Sequence, residues 1–161
     1  MLNSLLPTAK IFIFQADKFL TKSDKSTIEK EMNQFLPQWA THGSELTAAY
    51  QIVHDLFIIV GVDESKVETS GCSKDSLNHI IKKIGETIKV DFFNRLNTAY
   101  QLPNDDIKLV DLAGFKAKMK SDDIKMHTKV FNNLIETKLD LTTNWLVEVK
   151  NSWHKNLIAI V

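Results

Sequence analysis

LTAAYQIVHDLFIIVGV, residues 46–62, is the stretch that decides the fold. It contains two runs rich in β-forming residues, 46–53 and 56–62, separated by the pair His54-Asp55. A gap of two residues between such runs is typical of a β-hairpin, although His-Asp is not among the strongest turn pairs. The stretch therefore predicts two antiparallel strands that pair with each other.

The segments before this hairpin predict one further strand and a helix. Ile11-Phe12-Ile13-Phe14 is a short apolar run of the kind that forms a buried strand. Thr21 and Asp24 have the spacing of a capping box at a helix start, and Pro37 predicts that this helix ends near Phe35. The apolar residues on one face of the helix are Ile28, Met32, Phe35, Leu36 and Trp39.

The segments after the hairpin predict a second helix and a fourth strand. Ser73 is the expected N-cap of the helix, Gly85 lies near its expected end, and residues 96–102 suit the strand. The apolar residues of this helix follow the i, i+3, i+4, i+7 pattern and are Leu77, Ile80, Ile81 and Ile84. The resulting order is the split βαβ pattern of a ferredoxin-like sandwich, an antiparallel sheet with helices on one face.

Beyond the fourth strand, the sequence predicts a C-terminal extension of the same domain. Residues 107–112 suit either a strand or a helix, whereas 128–139 show helical apolar spacing. Residues 145–149 suit a last strand, and 152–161 form a short apolar ending that is expected to pack on the core. No repeat or linker-like stretch interrupts the chain, so residues 1–161 are predicted to form a single α+β domain.

Composition and charge exclude several classes of function. Acidic and basic side chains number 20 each, so no bulk attraction to nucleic acid or to an anionic membrane is indicated. The only cysteine cannot form an internal disulfide, which fits a reducing cytoplasm. The longest apolar runs, such as residues 56–60, are too short to span a bilayer. We expect a soluble, cytoplasmic protein that binds neither nucleic acid nor membrane.

The segment Ser70-Gly71-Cys72-Ser73 carries the sharpest chemical feature, because it directly precedes the second predicted helix. Free N–H groups and the dipole at a helix N-terminus favour a bound anion, and a guanidinium from Arg95, the only arginine, would add a cation. Ordinary capping explains the same serines more simply. The candidate ligand-binding residues are Gly71, Cys72, Ser73, Asp75, Arg95, Trp39 and His42.

Cys72 also supports an alternative function, a cysteine-dependent enzyme or a redox sensor. A nucleophilic thiol needs a base within hydrogen-bond reach. His79 lies on the same predicted helix but on the order of 10 Å away along its axis. Only the fold can bring His42 or His54 to the thiol, so a purely structural cysteine is the simpler interpretation.

Metal and nucleotide sites are not expected. The five histidines and the cysteine show none of the paired spacings that bind zinc, and the acidic pairs suit loops or caps. No glycine is followed by lysine, so the Walker A loop that cradles phosphates is absent. We therefore expect neither a metal nor another cofactor.

Seven segments spread along nearly the whole chain carry a resemblance to a known group. They are Phe14-Gln15-Ala16, Gln38-Trp39 with His42-Gly43, Asp63-Glu64-Ser65, Ser70-Gly71-Cys72-Ser73 with Asp75, Phe93-Asn94-Arg95, Val130-Phe131-Asn132-Asn133-Leu134 and Ser152-Trp153-His154. In these segments the chain resembles an uncharacterised bacterial family whose members often carry the label "ABC transporter ATPase". The label implies nucleotide hydrolysis, which the missing phosphate loop contradicts.

The sequence thus predicts a small, non-enzymatic cytoplasmic domain that binds a small ligand or a protein partner. Its predicted site is the helix start at residues 70–73, where an anion or another ligand would bind. The alternative is catalysis or redox sensing by Cys72.

Overall fold

The structure, a computed structural model, describes residues 2–157 and confirms the α+β class, with helices and antiparallel sheets. The chain forms two compact units, each described separately below. One contains Met1–Asn94 and Glu136–Leu139, and the other contains Arg95–Ile135 and Asp140–Val161. That residues 1–161 form one domain stays a prediction. Within the described range, every helix is too short or too polar to cross a membrane.

The first unit is built around a three-stranded antiparallel sheet of order β1-β5-β4. In chain order it contains β1 (Lys10–Gln15), α1 (Lys22–Phe35), β2 (Ala40–Thr41), β3 (Ser44–Glu45), β4 (Thr47–Val53), β5 (Phe57–Asp63) and α2 (Gly71–Ile88), with 3₁₀ turns at Leu2–Ser4 and Leu36–Gln38. The predicted hairpin is confirmed, since β4 pairs with β5 and Val53 lies opposite Phe57. The turn residues His54 and Asp55 adopt positive φ angles of 54° and 50°.

Helix α1 begins and ends as predicted. The Thr21 hydroxyl accepts a hydrogen bond from the Asp24 backbone N–H at 3.2 Å, and the Asp24 carboxylate accepts one from the Thr21 N–H at 2.9 Å. The second of these bonds lowers the pKa of Asp24, because it favours the ionised carboxylate. The helix ends at Phe35, and Pro37 lies in the 3₁₀ turn that follows.

One face of the sheet carries the helices. Phe12 of β1 and Val60 of β5 are cross-strand neighbours, and the Phe12 ring meets the Trp39 ring edge-on with centroids 6.4 Å apart. On β4, Tyr50 lies opposite Val60 and donates its hydroxyl to the Asn33 side-chain oxygen of α1 at 3.3 Å. These contacts place α1 and the chain after it over this face.

The N-terminal turn covers the opposite face of the same sheet. A side chain at Gly61 of β5 would point to this face. Its Cβ would lie 2.6 Å from Cδ1 of Leu2 and 2.7 Å from Cδ1 of Leu5. Both leucines are buried. Residues 57–62 of β5 are therefore buried on both faces of the sheet.

A segment from far along the chain completes the outer side of β1. The Ile11 N–H donates to the Glu136 carbonyl oxygen at 2.8 Å, and the Lys138 N–H donates to the Ala9 carbonyl at 2.9 Å. The Lys138 ammonium also donates to the Asn3 carbonyl oxygen at 2.9 Å. Residues 136–138 thereby satisfy backbone groups that an edge strand would leave open.

The end of α2 differs from the prediction. The helix does not stop near Gly85 but continues to Ile88, and Lys89 then turns the chain with a φ angle of 56°. The Val90 N–H donates to the Gly85 carbonyl at 2.9 Å, and the Val90 carbonyl lies directly over the Gly85 Cα. Gly85 is needed because a Cβ there would collide with that carbonyl oxygen.

The second unit has a four-stranded antiparallel sheet of order β7-β6-β8-β9. It contains β6 (Asn97–Gln101), β7 (Ile107–Asp111), α3 (Leu112–Lys120), β8 (Lys129–Phe131), α4 (Lys138–Thr143, whose first two residues belong to the first unit), β9 (Leu146–Glu148) and 3₁₀ turns at Val149–Asn151 and Trp153–Leu157. Its core cluster is Tyr100, Phe115, Ile124, Val130, Val149 and Leu157.

The ferredoxin-like detail of the prediction is not confirmed, because the fourth strand does not join the first sheet. β6 pairs instead with β7 and β8 in the second unit. In a ferredoxin-like sheet the fourth strand would lie beside β1, and residues 136–138 occupy that side here. The order of the first five elements of the pattern is as predicted.

The helix predicted over residues 128–139 is wrong. Residues 129–131 form β8, where Val130 lies opposite Tyr100, and the helical turn begins only at Lys138. Val130 and Phe131 are both buried although they are adjacent in a strand. Two neighbouring apolar residues also fit the apolar side of a helix, so the sequence pattern favoured a helix here. The predicted strand at 145–149 is confirmed as β9. Of the apolar ending predicted at 152–161, residues Trp153–Leu157 form a 3₁₀ turn and Leu157 joins the core cluster, and the remaining residues lie outside the described range.

His154 is the one buried histidine of the described residues. Its ring stacks on Trp153 at 4.0 Å between centroids and lies 5.5 Å from the Phe115 ring, and its Nδ1 is 2.9 Å from the Ser152 hydroxyl. Burial disfavours the charged imidazolium and lowers the pKa of His154 from 6.5 to about 4.

The replacement Gly85→Ala is expected to lower the free energy of unfolding by about 1–3 kcal/mol, since the Val90 carbonyl must move. Gly71→Ala is the matched control on the same helix, because a Cβ at residue 71 meets no atom within 4 Å. That control is expected to be neutral or stabilising by up to about 1 kcal/mol. Urea unfolding measures both, and equal destabilisation by the two variants would contradict the close approach at Gly85.

The stability of the second unit is expected to fall as the pH drops from 6.5 to about 4. In this window the unfolded chain binds a proton at His154 that the folded chain does not, so acid favours unfolding. The loss amounts to roughly 3 kcal/mol at about 1.4 kcal/mol per pKa unit. Urea unfolding at several pH values measures it, and His154→Phe should remove this component while His127→Gln, an exposed control, should retain it.

Candidate functional site

The start of α2 is capped one turn earlier than predicted. Ser70 is the N-cap, and its hydroxyl accepts a hydrogen bond from the Ser73 N–H at 3.2 Å. The prediction of Ser73 as the N-cap is therefore wrong. Gly71 and Cys72 lie inside the first turn of the helix, where both are exposed. Asp75 is also exposed but lies beyond that turn, which contains no acidic residue.

Polar side chains of the first unit already bind the backbone around this helix start. The Thr41 hydroxyl accepts a hydrogen bond from the Ser70 N–H at 3.3 Å. One carboxylate oxygen of Glu64 accepts hydrogen bonds from both the N–H and the hydroxyl of Thr69. Among these residues, capping and loop closure explain each observed hydrogen bond.

Glu64 also sets the electrostatics of this region. Burial raises the pKa of its carboxyl, but the hydrogen bonds from Thr69 and the charges of Lys10 and Lys74 outweigh burial, so the pKa lies below its usual range. The Lys10 ammonium is 3.9 Å from the second carboxylate oxygen. An ionised carboxylate beside the helix start opposes a bound anion there.

Trp39 is the predicted site residue that the fold brings to Ser73. Its indole N–H donates to the Ser73 carbonyl oxygen at 2.8 Å, and its side chain is only 2% exposed. The ring also packs against Phe35 at 5.8 Å between centroids. Trp39 therefore anchors α2 to the core and does not offer a surface to a ligand.

His42 and Arg95 are placed differently from Trp39. His42 is exposed and, with Gly43, forms the two-residue turn between β2 and β3, where their φ angles are 48° and 80°. Arg95 is exposed and belongs to the second unit. The helix start is thus built entirely from first-unit residues, with Trp39 buried beneath it.

Neither a metal cluster nor an activated cysteine is found in the described part of the chain. No group of three or more histidine, cysteine, aspartate or glutamate residues there is arranged to hold a metal ion. Cys72 is a free, exposed thiol, and no imidazole of residues 2–157 hydrogen-bonds its sulfur.

A cleft lies at the opposite end of α2. Its volume is about 620 Å³, within the range of small-molecule sites. Ile81, Val90, Phe92 and Phe93 form apolar walls. The remaining lining residues are Asp17, Lys82, Gly85, Glu86, Lys89 and Asp91.

Hydrogen bonds between distant segments shape this cleft. The Asp17 carboxylate accepts a hydrogen bond from the Asp91 N–H at 3.0 Å, and the Asp91 carboxylate accepts one from the Phe93 N–H at 2.8 Å. The Phe93 ring meets the Phe14 ring edge-on at 5.8 Å, yet 45% of Phe93 remains exposed. The cleft therefore presents an aromatic side chain that the fold holds in place.

The sequence did not predict this cleft. The fourth strand is expected at residues 96–102, and no role is predicted for residues 89–94, which form an irregular loop. The available signal was the pair Phe92-Phe93 between polar neighbours, directly after a helix. Asp17 carried no signal, because its role depends on a partner that is 74 positions away.

Comparisons with protein families, with curated proteins and with solved structures find no match to this chain. The geometry of the described residues is therefore the basis of the functional argument.

The thiol of Cys72 is expected to react at a rate that His42→Ala or His54→Ala changes by no more than about twofold, since no imidazole activates it. Labelling with a chromogenic disulfide reagent over a range of pH measures this rate. A strong fall in the rate with either alanine variant would instead support the cysteine-dependent alternative.

Proposed function

We propose that this chain is a non-enzymatic cytoplasmic binding domain that takes a small ligand into the cleft at the C-terminal end of α2. The observation that carries the proposal is a cleft of about 620 Å³ with apolar walls and a charged rim. Binding sites for small molecules combine these features, in which apolar walls supply affinity and a few polar groups fix orientation.

The rigidity of the cleft supports the proposal. Its walls come from a helix and from a loop whose backbone is tied by Asp17 and Asp91. The exposed Phe93 ring rests on Phe14, a buried residue of β1. A ligand that enters such a cleft does not have to order the residues that bind it, which lowers the entropic cost of binding.

The two other hypotheses have less support in the structure. Anion binding at the helix start of residues 70–73 stays a prediction, and the ionised Glu64 beside that start counts against it. Catalysis or redox sensing by Cys72 also stays a prediction, and the thiol has no imidazole partner among residues 2–157. Membership of the resembled bacterial family is likewise a prediction.

Titration of the full chain with benzyl alcohol, a neutral aromatic probe, tests the proposal. Backbone amide NMR signals of Gly85, Phe92 and Phe93 are expected to shift with a dissociation constant in the millimolar range, typical of so small a ligand. Phe93→Ala should weaken binding by about tenfold, because the aromatic wall is lost.

Phe19→Ala is the matched control, since Phe19 has the same exposed fraction of 45% and does not line the cleft. Absence of probe-dependent shifts in the cleft, or equal weakening by both variants, would overturn the proposal. Inorganic phosphate serves as the competing probe. Shifts confined to Gly71, Cys72 and Ser73 on its addition would support the helix start as the site.

A further inference from the structure

The charges around the cleft are unequal. Three carboxylates, from Asp17, Glu86 and Asp91, line it against two ammonium groups, from Lys82 and Lys89. In the described part of the chain, none of these three carboxylates forms an ion pair with a lysine. The lining of the cleft therefore carries one more negative than positive side chain, and its carboxylates are not held in ion pairs with any described residue.

The end of α2 contributes a partial negative charge to the same region. The helix has 18 residues and no basic side chain in its last turn, and its C-cap residue, Lys89, is one of the two lysines already counted at the cleft. The carboxyl end of a helix carries a partial negative charge that favours cations. Lys83 does not offset this charge, because its ammonium pairs with Glu31 of α1 at 2.9 Å.

Two of the carboxylates retain the capacity to bind a ligand. Oδ1 of Asp17 and Oδ1 of Asp91 each accept one hydrogen bond from a backbone N–H. A carboxylate offers about four acceptor positions, so each group can accept further hydrogen bonds from an ammonium. These bonds also hold the two carboxylates in place at the rim.

We infer that the cleft selects small organic cations, specifically primary amines carried on an apolar or aromatic group. The apolar body would lie against the exposed ring of Phe93, and the ammonium would lie at the rim near Asp17 and Asp91. The exposed face of Phe93 suits a cation as well as an aromatic ring. This inference rests on the proposed function and names its ligand class.

The test compares phenethylamine with phenylacetate, two probes of nearly the same shape and opposite charge. Amide NMR titration of the full chain is expected to give an affinity for the amine about tenfold higher than that for the carboxylate. Equal affinities, or tighter binding of phenylacetate, would overturn the inference while leaving the cleft as a binding site. Absence of cleft shifts with both charged probes and with benzyl alcohol would overturn the proposed function itself.

Variants that change the charge of single side chains show which residues of the cleft cause the preference for the amine. Asp17→Asn and Asp91→Asn keep an acceptor for the backbone N–H but remove the charge, and each should weaken amine binding about threefold to tenfold. Glu45→Gln, an exposed carboxylate of β3 that does not line the cleft, is the control and should change nothing. Lys82→Gln should strengthen amine binding, which no unfolding artefact can imitate. Unchanged selectivity in Asp17→Asn, Asp91→Asn and Lys82→Gln together would overturn the inference.

Discussion

Strand β5 must be covered on both faces, and the organisation of the first unit follows from that constraint. An antiparallel strand commonly leaves one face to water, but residues 57–62 of β5 are all buried. One face is covered through the Trp39 region and α1, and the other by the N-terminal turn at Leu2–Ser4. Residue 61 has to be glycine, because Leu2 and Leu5 approach its backbone so closely that a side chain would collide with them.

The two ends of α2 serve different purposes as a result. Its start is fixed to the core, since Trp39 holds the Ser73 carbonyl and Thr41 holds the Ser70 N–H. Its far end returns over Gly85 into a loop that leaves Phe93 half exposed and a cleft beside it. The helix is therefore anchored at its start and borders a cleft at its end.

Local patterns predicted much of this structure, and long-range contacts account for what they missed. The hairpin and the Thr21 cap depend on neighbours within a few positions, and both are confirmed. Either Ser70 or Ser73 suits an N-cap by residue type, and only the fold selects Ser70. Residues 128–139 have apolar spacing that suits a helix, but pairing with β6 makes their first part a strand. The cleft depends on the hydrogen bond between Asp17 and Asp91, and these residues are too far apart in the sequence for a local pattern to predict their contact.

The bond from the Lys138 ammonium to the Asn3 carbonyl joins residues 135 positions apart. A ribosome releases the first strand long before it synthesises the segment that closes the strand's outer side. Until residues 136–138 emerge, β1 has an open edge of the kind that pairs with other chains. Contacts of such sequence separation also slow folding, since the intervening chain must be ordered first. The first unit therefore reaches its final form only after residue 138 has been synthesised.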